Sequence, residues 1–526
     1  MSCLSVEFLG QACALLELGD IKLVTDPWFS GAAHLDSWIP FPLWNAQELE
    51  AIRTRVNQAT HIYISHDHED HFDPAFLETL DRKTILVGDF RNDEFRRHLG
   101  ALAGRHKIQY LRHARETTLS KDVSVQVFME QPDFRTNSML LVRTPRGTVL
   151  NANDCGLNRT ILSSIARRSP VTLFMYTLNF MANGYPFPYL KRSDPELASK
   201  IATTRDDILD SFRLAQRILR PELSAVYAGP VTFADEVNQH LNDYPESRDW
   251  RRMVSELSSE GAAVVWPAPG SSVELRDGRV EQAEIKDWDR FLSQPATTRP
   301  AASTVQSRSD PFTLDQALEE ALGFIERFRP ALDRTEYRVK QSLVLTAVPT
   351  LDDLESESAA LWSMVIDLDP PNPSRRPHDD REPPPSPFLR VTSTPEILRK
   401  FLVGEVTIDA LLLSARARFH RQPDAFNATL HALLRYGGDP LSREALIEWL
   451  IRGPVCTETI TVEFDGQRRE IPKFCPHEGE SFEGVPIKDG KLVCPRHKWT
   501  FDLESGQCVA GDRSVNLYDL IPTEDA

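Results

Sequence analysis

Two cysteines and two histidines near the end of the chain have the types and spacing of metal ligands. Cys475-Pro-His477 is followed, after sixteen intervening residues, by Cys494-Pro-Arg-His497, so each of two loops offers one thiolate and one imidazole. Two cysteines with two histidines hold either a tetrahedral zinc ion or a 2Fe-2S cluster with mixed ligands. The four residues therefore predict a metal centre in the C-terminal part of the chain.

A second group of potential ligands lies near the N-terminus. Residues 60–65 have the apolar character of a short strand and lead into His66-Asp-His68-Glu-Asp70-His71. Charged and imidazole groups packed this densely at a strand end need partners, and a metal ion supplies one for several of them. The H-x-H-x-D-H pattern thus predicts a site with nitrogen and oxygen ligands.

The C-terminal loops resemble those of Rieske domains. A proline follows each cysteine, and Gly479 and residues 499–506 look like that family's hairpins. The resemblance implies an electron carrier, because replacing two thiolates by imidazoles raises the potential of a 2Fe-2S cluster. It implies that one iron is bound by the cysteines and the other by the histidines, namely Cys475 and Cys494, and His477 and His497.

The N-terminal group resembles the site of the metallo-β-lactamase superfamily. The resemblance implies that His66 and His68 bind one metal, that Asp70 and His71 serve a second position, and that a later aspartate completes the site. Asp154 follows the apolar run 148–153 and is the candidate for that aspartate. We expect Asp70 and Asp154 to be catalytic as well as ligating.

Two positions depart from the superfamily's pattern. Where its third histidine is expected, this chain has Asp133, which either replaces that ligand or caps a turn. After the late strand 223–227, residues 228–230 contain no histidine. A hydrolytic dizinc site keeps its histidines, whereas two histidines with a carboxylate suit ferrous iron. The affinity of a histidine site is higher for zinc than for ferrous iron, so the sequence leaves zinc open as the bound metal.

A metallo-β-lactamase domain and a Rieske domain in one chain resemble the CMP-N-acetylneuraminic acid hydroxylase family and its bacterial relatives. The animal hydroxylase carries its Rieske domain first, whereas here it is last. Five further segments look like that family's pocket segments: 25–31, 37–38, 151–155, 183–186 and 227–230.

This resemblance implies a monooxygenase that hydroxylates or N-oxygenates a small organic substrate at one or two non-haem irons. Its co-substrate would be O2, and electrons from NAD(P)H would arrive through a reductase or ferredoxin and the Rieske cluster. Three alternatives stay open. One is a metal-dependent hydrolase with a redox-regulatory Rieske domain, another is a diiron oxygen or nitric-oxide reductase, and the third, disfavoured by the ligand-rich site, is a non-enzymatic redox sensor.

The order of predicted strands and helices that must position these sites indicates a multidomain α/β protein. Residues 1–290 alternate strands and helices, as expected for a metallo-β-lactamase αββα sandwich, and 291–310 read as a linker rich in Ser, Thr, Pro and Ala. Residues 311–445 predict an α+β unit that resembles a sterol-carrier fold, with a proline-rich disordered loop near 368–388. Residues 446–526 predict the all-β Rieske domain.

Composition limits the partners. The 526 residues carry a net charge of -17, which disfavours nucleic acid. No apolar run approaches the roughly 20 residues of a membrane span, and the N-terminus does not resemble a secretory signal. We therefore expect a cytoplasmic enzyme with a small-molecule substrate, for which assembly as a homo-oligomer is left open.

Overall fold

The computed structural model describes most of the chain, in two compact units. The described residues are 4–130, 134–294, 312–335, 341–355, 360–368, 372–422, 424, 426–452, 458–476, 481–495, 498–510 and 515–518. Unit 1 comprises 1–187, 195–304 and the short segment 413–416, and unit 2 comprises 188–194, 305–412 and 417–526.

The strands of unit 1 form two large sheets and a short ribbon. In chain order they are β1 (Leu4–Gly10), β2 (Cys13–Leu18), β3 (Ile21–Thr25), β4 (Trp38–Pro40), β5 (His61–Ile64), β6 (Thr84–Gly88), β7 (Lys107–Leu111), β8 (Thr117–Ser120), β9 (Val123–Met129), β10 (Ser138–Thr144), β11 (Gly147–Asn153), β12 (Leu173–Tyr176), β13 (Leu223–Val226), β14 (Val231–Phe233), β15 (Val264–Val265), β16 (Ser272–Arg276) and β17 (Arg279–Glu284). Among the described residues, the first sheet has the order β17-β16-β1-β2-β3-β5-β6-β7 and the second β15-β13-β12-β11-β10-β9-β8, while β14 pairs with β4.

The two sheets share an apolar core and helices cover their outer faces. In β10, Leu140 joins a cluster with residues of the first sheet, whereas its neighbour Leu141 packs with Leu162 and Phe212 of the helices, because successive strand residues face opposite ways. Each fully buried leucine contributes about 1.5–3 kcal/mol. The αββα layers predicted from the sequence are confirmed. The helices are α1 (Ala46–Asn57), α2 (Pro74–Glu78), α3 (Asp93–Leu102), α4 (Arg159–Arg168), α5 (Leu197–Leu219), α6 (Pro245–Arg248), α7 (Arg251–Ser259) and α8 (Asp289–Leu292).

Unit 2 contains a mixed sheet with helices and two smaller β-sheets. Its strands are β18 (Ser342–Ala347), β19 (Trp362–Asp367), β20 (Ser374–Pro377), β21 (Phe388–Ser393), β22 (Arg418–Gln422), β23 (Thr459–Phe464), β24 (Gln467–Pro472), β25 (Ile487–Lys488), β26 (Lys491–Val493), β27 (Thr500–Asp502) and β28 (Cys508–Ala510). The helices of this part of the chain are α9 (Leu314–Thr335), α10 (Pro395–Val403), α11 (Ile408–Ser414), α12 (Ala428–Tyr436) and α13 (Pro440–Arg452). The described strands pair as β20-β19-β18-β21-β22, β23-β24 and β25-β26-β27-β28.

The segment predicted to be a disordered loop near 368–388 contains a strand. Its β20 pairs antiparallel with β19. Arg376 Nη1 donates to Asp367 Oδ2 at 2.5 Å, and Ser363 Oγ donates to Asp380 Oδ2 at 2.7 Å. Cross-strand polar pairs of this kind supply partners that a proline-rich composition does not reveal, so the structure has a strand at Ser374–Pro377 where the sequence predicts a loop.

The sequence-based domain boundaries stay predictions. Helix α13 runs through the boundary predicted between residues 445 and 446, and most of the linker 291–310 lies outside the described residues. In the part of the chain that the structure describes, no helix combines the length and the apolar character that crossing a membrane requires.

Candidate metal centre

The carboxyl ends of parallel strands bring the N-terminal ligands together. Strands β3, β5, β6 and β7 run parallel, so Asp26 after β3 and Ser65-His66 after β5 emerge at the same edge of the first sheet. Strand β11 is parallel to β12, and Asp154 follows it directly. Such edges are where α/β sheets usually hold ligands.

Three of the predicted ligands form a compact group. One ligand atom each from His66, His68 and Asp154 lies within 4.8 Å of the others, and we call this group the first metal position. His66 Nε2 is 3.7 Å from Asp154 Oδ2. His66 Nε2 and Asp154 Oδ1 are buried and lack a hydrogen-bond partner among the described residues. Because buried polar atoms are seldom left unsatisfied, these residues fit a bound metal ion.

His71 is oriented by a buried carboxylate behind it. Its Nδ1 lies 3.2 Å from Asp26 Oδ2, while its Nε2 lies 3.5 Å from both Asp70 Oδ2 and Asp154 Oδ2. Since a carboxylate only accepts, Nδ1 carries the proton and Nε2 faces the ligand group. Carboxylate–histidine pairs of this kind fix the tautomer of metal-binding histidines.

Ser65 orients His66 in a similar way. The Ser65 hydroxyl donates to Asp26 Oδ2 at 2.7 Å and therefore accepts from His66 Nδ1 at 2.8 Å. This arrangement leaves the lone pair on His66 Nε2 for a metal. Burial lowers the pKa of His66 to about 3, so the imidazole is neutral at physiological pH.

Three buried carboxylates dominate the electrostatics of the site. Burial opposes a charge on His71, but Asp154, Asp70 and Asp26 together raise the pKa of His71 to about 10. Burial also opposes ionisation of Asp70, yet His71 and His34 hold the pKa of that carboxyl well below its usual range. The pKa of Asp154 is likewise lowered by His66 and His71 in spite of burial. The negative charge that results suits a divalent cation.

Asp70 has two partners that the sequence did not indicate. Gln11 Nε2 donates to Asp70 Oδ2 at 3.2 Å, and His34 Nε2 lies 3.2 Å from Asp70 Oδ1. The His34 side chain is 3% exposed, so the pair is shielded from water. Both imidazoles around this carboxylate, those of His34 and His71, therefore present Nε2 to it.

His34 begins a left-handed turn. His34, Leu35 and Asp36 have φ angles of 51°, 58° and 60°, a conformation that costs non-glycine residues about 1–2 kcal/mol each. The turn is closed by the backbone bridge between Ala33 and Trp38 and by Ser37 N donating to His34 O at 3.1 Å. Strain of this kind persists where surrounding contacts enforce it, often at functional sites.

We expect Asp26→Asn to weaken metal binding by about 10–100-fold, the usual effect of losing a partner that orients a ligand. The amide can donate as well as accept, so His71 Nδ1 no longer has to carry the proton. Competition with a chromophoric chelator measures the affinity. Asp122→Asn, at an exposed position of the same unit, is the matched control, and equal affinity in both variants would contradict the assigned role of Asp26.

Metal affinity is expected to rise about tenfold per pH unit between pH 7.5 and 9.5. A metal must displace one proton from His71, whose pKa of about 10 lies above this window, whereas the pKa values of Asp70, Asp154 and His66 lie below it. At lower pH the proton therefore stays on the His71 imidazole, and at higher pH the metal displaces it more easily. Chelator competition at several pH values measures the slope, and a pH-independent affinity would show that His71 is not a ligand.

The predicted residues of this site have different outcomes. The structure brings His66, His68 and Asp154 together and places Asp70 and His71 against them. Asp133 lies outside the described residues, so its role stays a prediction. Four residues were not named as site residues: Gln11, Asp26, His34 and Ser65. Of these only Asp26 had a signal, because it follows an apolar strand and lies in segment 25–31, which resembles a pocket segment of the hydroxylase family.

The C-terminal cysteines lie in the core of the small β-sheet region. Cys475 and Cys494 are 2% and 1% exposed and belong to one apolar cluster with Trp499 and Phe501. Cys494 N donates to Trp499 O at 2.7 Å, and Lys498 N donates to Cys494 O at 3.1 Å. The predicted ligands His477 and His497 lie outside the described residues.

Comparison with protein families identifies both metal-binding parts. Residues 5–159 match the model of the beta-lactamase superfamily domain, and residues 453–520 match that of the Rieske 2Fe-2S domain. The chain is therefore an oxidoreductase that combines a metallo-β-lactamase domain with a C-terminal Rieske domain.

Within that class, the chain is homologous to the CMP-N-acetylneuraminic acid hydroxylases, as the sequence predicted. It is 22% identical over 440 residues to the inactive cytidine monophosphate-N-acetylneuraminic acid hydroxylase of Homo sapiens, covering 80% of this chain and 82% of that protein. It is 21% identical over 433 residues to the cytidine monophosphate-N-acetylneuraminic acid hydroxylase of Macaca mulatta, and the match covers 80% of this chain and 70% of that protein.

The solved structures that match this chain have low overall similarity to it. CmlA, a diiron beta-hydroxylase from Streptomyces venezuelae, is 16% identical with a TM-score of 0.36 and covers 52% of this chain and 54% of its own. Isothiocyanate hydrolase from Delia radicum gut bacteria is 13% identical with a TM-score of 0.33, and the match covers 51% of this chain and 97% of the hydrolase chain.

Proposed function

We propose that this chain is a monooxygenase in which a Rieske cluster delivers electrons to non-haem iron held by His66, His68 and Asp154. The proposal rests on one observation: a Rieske domain and a largely buried site of imidazole and carboxylate ligands occur in one chain that is homologous to hydroxylases. Two imidazoles with one carboxylate leave coordination positions open, which suits ferrous iron and oxygen.

The end of strand β13 supports oxygen chemistry over hydrolysis. Ala228 occupies the place where the superfamily resemblance leads us to expect a histidine. Its backbone N–H donates to the carbonyl of Gln11 at 3.1 Å, and the Gln11 side chain in turn donates to Asp70. This position therefore lies beside the site but offers no side-chain ligand atom, so a coordination position that the superfamily's histidine would fill is left open.

The chain's own residues prepare the site for a redox metal. Bound iron would supply one-electron chemistry and a place where oxygen is activated. His66 keeps a neutral imidazole because burial lowers its pKa, and Asp70 and Asp154 keep their charge because neighbouring histidines lower theirs. Burial of the group limits access of water, which strengthens the interaction of these charges with a cation.

The proposed reaction consumes O2, two electrons and two protons for each substrate molecule. One oxygen atom enters the substrate, as a hydroxyl group or on nitrogen, and the other leaves as water. NAD(P)H would give two electrons to a reductase, which would pass them on one at a time. We propose that His477 and His497 would hold one iron of the cluster and Cys475 and Cys494 the other, and that the cluster would supply single electrons to the site.

The substrate class follows from the relatives. Proteins 21–22% identical to this chain are named for cytidine monophosphate-N-acetylneuraminic acid, so that sugar nucleotide is the first candidate to test. Because the sequence identity to these relatives is low, a panel of other small organic substrates should be tested next.

Oxygen-18 labelling tests the proposal. The iron-loaded protein, an NAD(P)H-driven reductase or ferredoxin system and the candidate substrates react under labelled O2, and mass spectrometry records the products. We expect a product with one labelled oxygen atom. Label that enters only from labelled water would indicate a hydrolase, and O2 or nitric oxide consumed without any modified substrate would indicate a diiron reductase.

A further inference from the structure

We propose that unit 2 binds a small aromatic molecule that carries an N–H or O–H donor and an anionic group, in a pocket lined by α11, α12, β21 and β22. None of the predicted site residues lies in this pocket. The inference goes beyond the proposed oxygenation and does not rest on it, because the pocket contains no ligand of either metal centre.

The pocket has apolar walls and a size that suits a small molecule. Leucine and isoleucine side chains of α11 and α12 line it, together with the rings of Tyr189, Phe419 and Phe426. The space between these walls, including its open side, measures about 350 Å³. Ligand pockets range from about 300 to 1,000 Å³ and combine apolar walls with a few fixed polar groups. The aromatic part of the wall favours a ligand with a planar ring.

A buried amide supplies a hydrogen-bond acceptor in this pocket. Gln341 lines the pocket and is 6% exposed. Its Nε2 donates to the carbonyl of Phe388 at 2.9 Å, which fixes the orientation of the amide. Among the described residues, Gln341 Oε1 has no hydrogen-bond partner. Because a buried acceptor is costly to leave unsatisfied, Gln341 favours a ligand with an N–H or O–H group.

An arginine supplies positive charge to the same pocket. The guanidinium of Arg421 lies over the ring of Tyr189, 4.5 Å from its centroid, and Arg421 Nε donates to Asp424 Oδ1 at 2.9 Å. The Arg421 side chain is 12% exposed, so solvent screens its charge little. No carboxylate is among the described side chains that line the pocket. The lining therefore favours an anionic group, such as a carboxylate, on the ligand.

The wall of the pocket is held in place by contacts behind it. Trp499 Nε1 donates to the carbonyl of Phe426 at 2.9 Å, and His431 Nε2 lies 2.9 Å from Asp409 Oδ1. The rings of Phe426 and His431, both of which line the pocket, pack with their centroids 5.2 Å apart. A wall that is ordered before the ligand arrives loses little conformational freedom on binding.

The lining argues against a lipid, although this part of the chain resembles a sterol-carrier fold. A hydrocarbon tail offers no donor, so Gln341 Oε1 would stay unsatisfied beneath it. The size of the pocket also lies at the small end of the range for ligand pockets. A fatty acid is therefore included in the experiment as the competing ligand.

Calorimetry of the full-length protein with 4-hydroxybenzoate tests the inference. This probe carries a phenol donor and a carboxylate on one ring, and we expect the wild type to bind it with a Kd below about 1 mM. Gln341→Met, which keeps the length of the side chain but removes the acceptor, should weaken binding by about tenfold. 4-Fluorobenzoate, which lacks the donor, should bind more weakly than 4-hydroxybenzoate to the wild type and equally to both proteins.

Arg421→Gln tests the charge in the same way. It should weaken 4-hydroxybenzoate by about tenfold and leave the uncharged 4-hydroxybenzyl alcohol unaffected. The matched controls are Gln422→Met, at the exposed end of β22, and Arg381→Gln, whose side chain is 89% exposed. Both controls should bind 4-hydroxybenzoate like the wild type.

Four results would overturn the inference: no binding of 4-hydroxybenzoate, equal affinity of the wild type for 4-hydroxybenzoate and 4-fluorobenzoate, unchanged affinity in both Gln341→Met and Arg421→Gln, or tighter binding of octanoate. The third result would place the probe elsewhere, for example at the metal centre of unit 1. If Gln341→Met does not fold, the comparison of the two benzoates on the wild type decides. None of these results depends on turnover, so the proposed oxygenation stands or fails separately.

Discussion

Asp154→Asn is expected to lower substrate oxygenation by at least about 1,000-fold while the Rieske cluster is retained. The substitution keeps the size of the side chain but removes a charge that faces His66 and His71. A metal ligand is worth several kcal/mol to a charged transition state, and roughly 4 kcal/mol corresponds to a factor of about 1,000 in rate. The loss should therefore appear in kcat and in the metal content together.

The measurement combines product formation with two spectroscopic controls. Rate is followed by mass spectrometry of the oxygenated product, metal content by elemental analysis, and the cluster by the rhombic EPR signal of its reduced form. Asp122→Asn, exposed on the same unit, should keep wild-type values throughout. If Asp154→Asn retained more than a tenth of the wild-type rate, Asp154 would not be a ligand of the reacting metal.

The sequence predicted those parts of the site that are local in the chain. His66, His68, Asp70 and His71 fall within six residues after one strand, so their spacing alone indicates a shared site. Asp154 was selected because the superfamily resemblance implies a later aspartate and Asp154 directly follows an apolar run, and the structure places it against that group. A short pattern at a strand end fixes which side chains emerge together, and this information is present in the sequence.

The parts that the sequence missed depend on distant contacts and on backbone conformation. His34 reaches Asp70 across 36 residues and through a left-handed turn, and nothing in its sequence neighbours predicts three consecutive positive φ angles. Gln11 reaches Asp70 across 59 residues. Such contacts depend on which strands pair with each other, and this pairing cannot be deduced from a single amino-acid sequence. The strand at Ser374–Pro377 was missed for the same reason, because its partner strand and polar pairs supply the order that its composition lacks.

Cys475→Ser is expected to abolish turnover that depends on NAD(P)H, by at least about 1,000-fold, and to leave metal binding at His66, His68 and Asp154 unchanged. A serine hydroxyl does not replace the thiolate that a 2Fe-2S cluster needs, so the rhombic EPR signal should disappear. Cys508→Ser is a matched control, because Cys508 is also buried in the same apolar cluster. Its thiol already donates to Ala510 O at 3.2 Å, so a hydroxyl has an acceptor there and the cluster signal should persist.

Hydrogen peroxide separates electron supply from oxygen chemistry in the same variant. Peroxide brings one oxygen atom for the substrate and leaves the other as water, so the balance requires no electrons from the cluster. We expect Cys475→Ser to form the oxygenated product with peroxide at a rate near that of the wild type, and Asp154→Asn to form none. If peroxide also failed with Cys475→Ser while its first metal position remained filled, the Rieske domain would have a role in the chemistry beyond electron delivery. This comparison assigns electron supply to the Rieske cluster and oxygen chemistry to the first metal position, because each variant removes one of these two centres and keeps the other.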